Sequence, residues 1–199
     1  MLALPPGPLP EPKRQVFVGT ALVAAAGSML IGGMLAVWLR FRADAPTRPG
    51  DKHALVKDWL PESLEVPGVA ANILPIVLVV LCVMAQWAVY AAKRDFRPHA
   101  GMAFALTFLF GLAGLNTQIY IFSQMGVSIA EDGAYAALFY ALTGTLVFLL
   151  LTGLVYTVVA AIRYLGGRND VETVSSHALY WYFLTTATVA VWFVVYIQK

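Results

Sequence analysis

Five stretches, 16–39, 71–92, 102–124, 135–162 and 179–197, contain no Lys, Arg, Asp or Glu at all. Each is long enough to cross about 30 Å of hydrocarbon as a helix rising 1.5 Å per residue, which takes roughly 20 residues. They are apolar all round, without the period-two alternation of a membrane barrel, so the chain reads as an all-α bundle of five transmembrane helices. Composition agrees: 60% of the 199 residues are hydrophobic and 12% charged, against about 25% charged in a soluble domain. A soluble globule could not hide that surface, and a disordered chain would be poorer in it. Cys82 stands alone, so no internal disulfide forms, and the net charge of +2 does not point to nucleic acid.

Outside the spans, residues 1–15 carry Pro5, Pro6, Pro8, Pro10 and Pro12, a polyproline-like tail. Ala24-Ala25-Ala26 resembles a signal-peptide cleavage run, but the apolar stretch continues through it to Trp38, which favours a retained span. The transmembrane domain occupies 16–199, and its longest connection, 41–69, is polar and rich in proline. Lys13, Arg14, Lys93, Arg94, Arg97, Arg163 and Arg168 fall on one side, against Arg40, Arg42, Arg48, Lys52, Lys57 and Lys199 on the other. This small excess places the N-terminus in the cytoplasm. Trp38, Tyr90, Trp181, Tyr182 and Tyr196 lie near span ends, as interfacial anchors do.

Proton and ion paths generally need ionisable groups inside the bundle, and a membrane haem needs a strong axial ligand there. Of the three histidines, His53 lies in the long connection, while His99 and His177 precede spans three and five at the water interface. No catalytic, cofactor-binding or metal-binding residues are therefore assigned. The buried polar candidates are neutral, Gln86, Asn116 and Gln118, and read as interhelical hydrogen-bonding groups. Ala24, Ser28, Gly32 and Ala36 recur every fourth residue on span one, and Gly153, Thr157 and Ala161 on span four. Such stripes let helices approach closely, within the bundle or against a partner.

Five sets of residues stand out in order: Gly27 to Gly33, Leu64-Glu65-Val66-Pro67 with Asn72, Gln118, Asp132-Gly133-Ala134-Tyr135 with Phe139 and Leu142-Thr143-Gly144, and Tyr180-Trp181-Tyr182-Phe183 with Tyr196. Together they resemble subunit III of the haem-copper terminal oxidases (cytochrome c or quinol oxidases), in a divergent five-helix bacterial form. The departures are equally specific. Gly27 stands at the family's buried glutamate, Leu146 and Leu149 at two histidines, and Tyr182 and Thr185 at the His and Asp of the last helix.

The resemblance implies a non-catalytic accessory subunit of a proton-translocating respiratory oxidase in the bacterial plasma membrane. It would pack against catalytic subunit I, with subunit II and small subunits nearby, and support stability and proton uptake during oxygen reduction. Haem and copper would reside in the partners, and phospholipid is a possible companion. A quinol oxidase or a nitric oxide reductase could use the same scaffold. An independent small membrane carrier is the remaining alternative, with Gln86, Asn116 and Gln118 as its only starting groups.

Overall fold

The computed structural model describes residues 14–49, 55–61, 64–130, 132–168 and 170–198. The proline-rich residues 1–13, His53 and Glu131 lie outside them. Five helices carry the chain: α1 Gln15–Asp44, α2 Gly68–Lys93, α3 Arg97–Met125, α4 Gly133–Leu165 and α5 Val171–Val191, the last continuing into a π-helical Trp192–Ile197. All five are long and apolar enough to span a membrane. The molecule is an all-α, multi-pass membrane protein. Part of the long connection forms a short antiparallel ribbon, Thr47–Pro49 (β1) against Leu55–Lys57 (β2), with Arg48 opposite Val56.

The helix ends follow local chemistry. α2 closes on a paired-carbonyl motif in which Phe96 N–H reaches Ala91 O at 3.0 Å and Asp95 N–H reaches Ala92 O at 3.2 Å. This requires a left-handed residue, and Asp95 supplies it at φ 53°; Asp tolerates that region better than most residues. The result is a hairpin tight enough that α3 starts two residues later. α4 closes the same way through Gly167 at φ 95°. α5 then begins at Asp170, whose carboxylate accepts from Thr173 N–H at 3.0 Å. That cap starts α5 eight residues before the apolar stretch begins, because Val171 to Ala178 are held by the cap and by packing and not by hydropathy alone.

α5 occupies the centre. In its most apolar stretch 56% of the residues are buried, against 17% in α1. It packs on α1, α2 and α4, while α3 bridges α2 and α4 and α1 touches α4 only lightly. With no hydrophobic effect between helices in lipid, close packing and neutral hydrogen bonds hold such a bundle.

Candidate functional site

The most constrained polar site lies between α4 and α5. Gly153 on α4 leaves room for the Trp181 indole: a Cβ on that glycine would sit 2.9 Å from two ring carbons. One turn further, the Thr157 hydroxyl donates to Gly153 O at 2.8 Å and lies 2.9 Å from His177 Nε2. The Trp181 N–H points at both, 3.0 Å from His177 Nε2 and 3.1 Å from Thr157 Oγ1. An indole N–H can only donate, so it is shared between Thr157 Oγ1 and His177 Nε2, and the remaining polar atom of the imidazole is Nδ1. That Nδ1 has no partner among the described residues. Phe104 and Tyr156 enclose the ring, with centroids 5.5 and 5.8 Å away.

This site corrects the placing of His177 at the water interface. The cap at Asp170 puts it seven residues beyond the cap, where it is fully buried. Trp181, expected as an interfacial anchor, is likewise in the middle of the bundle, and Trp38 and Tyr196 are buried too. Tyr90 alone of that group behaves as an edge aromatic carrying a cation, with the Arg94 guanidinium 3.8 Å above its ring. His99 does sit at a helix start, exposed, against Phe96 and Trp87.

A second cluster joins α3, α4 and the end of α5. Gln118 is fully buried and donates from Nε2 to the Tyr196 hydroxyl at 3.5 Å, while its Oε1 finds no partner among the described residues. Phe139 lies edge-on to Tyr196 at 6.5 Å and stacked on Tyr135 at 6.1 Å. Tyr135 continues into an aromatic corner with Trp38 and Trp59, at 5.2 and 5.5 Å. Trp59 folds back from the long connection to close that end.

The other expected polar residues do not join these clusters. Gln86 and Asn116 are exposed, not buried: Gln86 shares the outward face of α2 with Val79, Val83 and Tyr90, and Asn116 shares that of α3 with Leu112, Ile119 and Tyr120. Period 3.6 turns them outward once the alanines and leucines between them face the core. Gln86 Oε1 accepts from the Tyr182 hydroxyl at 2.5 Å. Asn116 borders an apolar groove with Thr117, Tyr120 and the start of α2.

The two small-residue stripes diverge. Gly153 and Thr157 are buried and Ala161 half-buried, against α5 and α3. Ser28, Gly32 and Ala36 are exposed and Ala24 half-buried; a Cβ on Gly32 would meet nothing within 4 Å. What α1 presses on α5 is Gly27, where a Cβ would come 2.5 Å from Phe183 Cζ. The Phe183 ring thus fills the space that a larger residue at 27 would need. Leu146 is buried in the core and Leu149 half-buried, with Leu149 O accepting from the Tyr180 hydroxyl at 2.8 Å. Thr185 donates to Leu78 O at 3.3 Å and lies 3.1 Å from Cys82 Sγ.

Two anchors at one end of the bundle escaped the sequence reading. The Asp170 carboxylate also accepts from the Thr173 hydroxyl and from Arg163 Nη2, each at 2.6 Å. Partial burial pushes this carboxyl up, but the Thr173 bonds and the Arg163 guanidinium outweigh it and hold it below the ordinary carboxylate value. Glu172 Oε1 accepts from Val16 and Phe17 N–H, at 2.8 and 3.1 Å, and so caps α1 from another helix. The pattern Asp170-x-x-Thr173 was the signal available for the first; nothing local marks the second.

Among the described residues no three His, Cys, Asp or Glu side chains come together as a metal-binding group. In the two buried clusters the assembled chemistry is neutral hydrogen bonding and aromatic packing. In comparisons with known proteins, no protein-family model and no curated relative matches the chain.

Proposed function

We propose that the chain is a non-catalytic accessory subunit of a bacterial respiratory oxidase, of the subunit III kind, in the plasma membrane. The observation that carries this reading is the convergence of residues far apart in sequence. Gln118, Tyr135, Phe139 and Tyr196 belong to three of the segments on which the resemblance rests, and the fold brings them into one buried cluster. Trp181 and Phe183 from the same set are buried where α5 meets α4 and α1. These are packing roles, which suits a subunit that shapes and steadies its neighbours. Haem and copper would belong to subunit I and subunit II, and phospholipid to the surrounding clefts.

Purifying the full chain through a tag from its native membrane tests this. Co-purified subunits with haem absorption are the expected result, with no haem spectrum from the chain expressed alone. Iron or copper retained by the lone chain, or substrate turnover by it, would overturn the reading. Co-purification with a quinol-oxidising or nitric-oxide-reducing catalytic subunit would move the assignment to a related complex.

A further inference from the structure

The helices round α5 leave one side open. α1 and α2 both pack on α5 but stand apart, with an outward strip of α5 carrying Tyr182 and Thr186 between them. Along α1 this opening is a groove of about 430 Å³ lined by Ser28, Gly32 and that strip. Towards one end a further hollow of about 480 Å³ opens between Arg14 and Lys93. Two exposed side-chain bonds that cross between helices run along this side: Tyr182 to Gln86 at 2.5 Å, and Trp192 Nε1 to Asn72 Oδ1 at 3.0 Å. At 1.5 Å per residue, Gln86 lies about 10 Å inside Lys93, and Asn72 about 21 Å beyond Gln86.

Gln86 narrows what can fill it. Tyr182 occupies one end of the amide, and whichever way the amide is turned its other end has no partner among the described residues. At that depth an acyl chain offers nothing to an amide, and an unsatisfied polar group in hydrocarbon is costly. A helix with a polar side chain can satisfy it, and the absence of bulk at Ser28 and Gly32 lets a helix backbone come close. Arg14 and Lys93 at one end share their hollow with the Glu172 carboxylate, so that end is mixed in charge.

We propose that this opening receives a transmembrane helix of a partner subunit. That helix lies between α1 and α2, with small residues towards Gly32 and a polar residue level with Gln86. The inference rests on the accessory-subunit reading and adds the docking face. To test it, a photo-crosslinking amino acid is placed at Gly32 or Thr186 in the opening, and at Phe148 or Val155 on the outer face of α4, in the full chain in its native membrane. The expected result is that Gly32 and Thr186 adducts map by peptide mass spectrometry to one hydrophobic segment of a co-purifying subunit, and that Gln86→Leu lowers their yield at least threefold at unchanged chain abundance. Adducts to that subunit from Phe148 and Val155 alone would overturn the docking face and leave the accessory role standing. An adduct of twice the chain's own mass would overturn it in favour of a second copy. Lipid adducts alone, from a chain that purifies without companions, would overturn both.

Discussion

Gly153 in α4 and Gly32 in α1 sit in similar rows of small residues four apart, yet they do opposite things. At Gly153 the missing side chain is replaced by the Trp181 ring, locked by His177 and Thr157. At Gly32 the missing side chain leaves open space beside α5. Spacing alone says that two backbones could approach. Whether they do depends on a large partner: α5 presents Trp181 at Gly153 of α4 and Phe183 at Gly27 of α1, and nothing within 4 Å at Gly32.

The strongest way to break this comparison is to fill both glycines. Gly153→Leu drives a side chain into the indole and should lower the stability of the isolated chain by about 3 kcal/mol, at the upper end for overpacking. Gly32→Leu should change it by less than about 0.5 kcal/mol, as exposed substitutions do. Thermal unfolding of both variants in detergent reads the difference. Equal losses would mean that α1 is packed along its stripe after all.

Next in size is the hydrogen-bonded triad. His177→Leu removes one of the two acceptors of a buried indole N–H, leaving Thr157 Oγ1, and should cost about 1 kcal/mol. Trp181→Phe in the same background should cost less than it does alone, because the bond between the two side chains has already gone. A double-mutant cycle followed by denaturation would show the coupling. Strict additivity would mean that His177 acts through packing alone. On the open side, Tyr182→Phe breaks a bond made at an exposed position, and its effect on the isolated chain should be smaller.

The contrast also explains what was legible in the sequence. Five charge-free stretches carried the number and class of helices, because the hydrocarbon thickness admits few other solutions. Rotation about each axis was not legible. Gln86 and Gln118 are both amides inside apolar runs, but one faces out and the other is enclosed, and only the neighbours chosen by the tertiary packing separate them. His177 was misplaced because hydropathy marks where a span becomes apolar, while a helix starts where its first N–H groups find acceptors. The Asp170 carboxylate provides one there, nine residues upstream of Leu179.

The two acidic anchors carry the comparison to the end of the bundle, with the smallest expected effects. Asp170 ties α5 to α4 through Arg163, in a position where its carboxyl titrates below the usual value of about 3.9. A depressed folded value contributes stability that is fully present above the unfolded pKa and lost as pH falls through the folded one. Acidification should thus loosen the α4–α5 connection, and Asp170→Ala should remove that pH dependence at a cost of about 1 kcal/mol at neutral pH, the usual loss for a helix cap. Hydrogen exchange at Thr173 measured across the acid range checks both. Glu172 ties α5 to α1 instead, through the Val16 and Phe17 amides on the open side. Glu172→Ala should cost about 0.5 kcal/mol, near the low end for a lost cap, and speed exchange at Val16 and Phe17 while Thr173 stays protected. If Thr173 exchanged faster as well, the start of α1 would be bound into the same cooperative unit as the α4–α5 seam, and the open side would be far less independent than its geometry indicates.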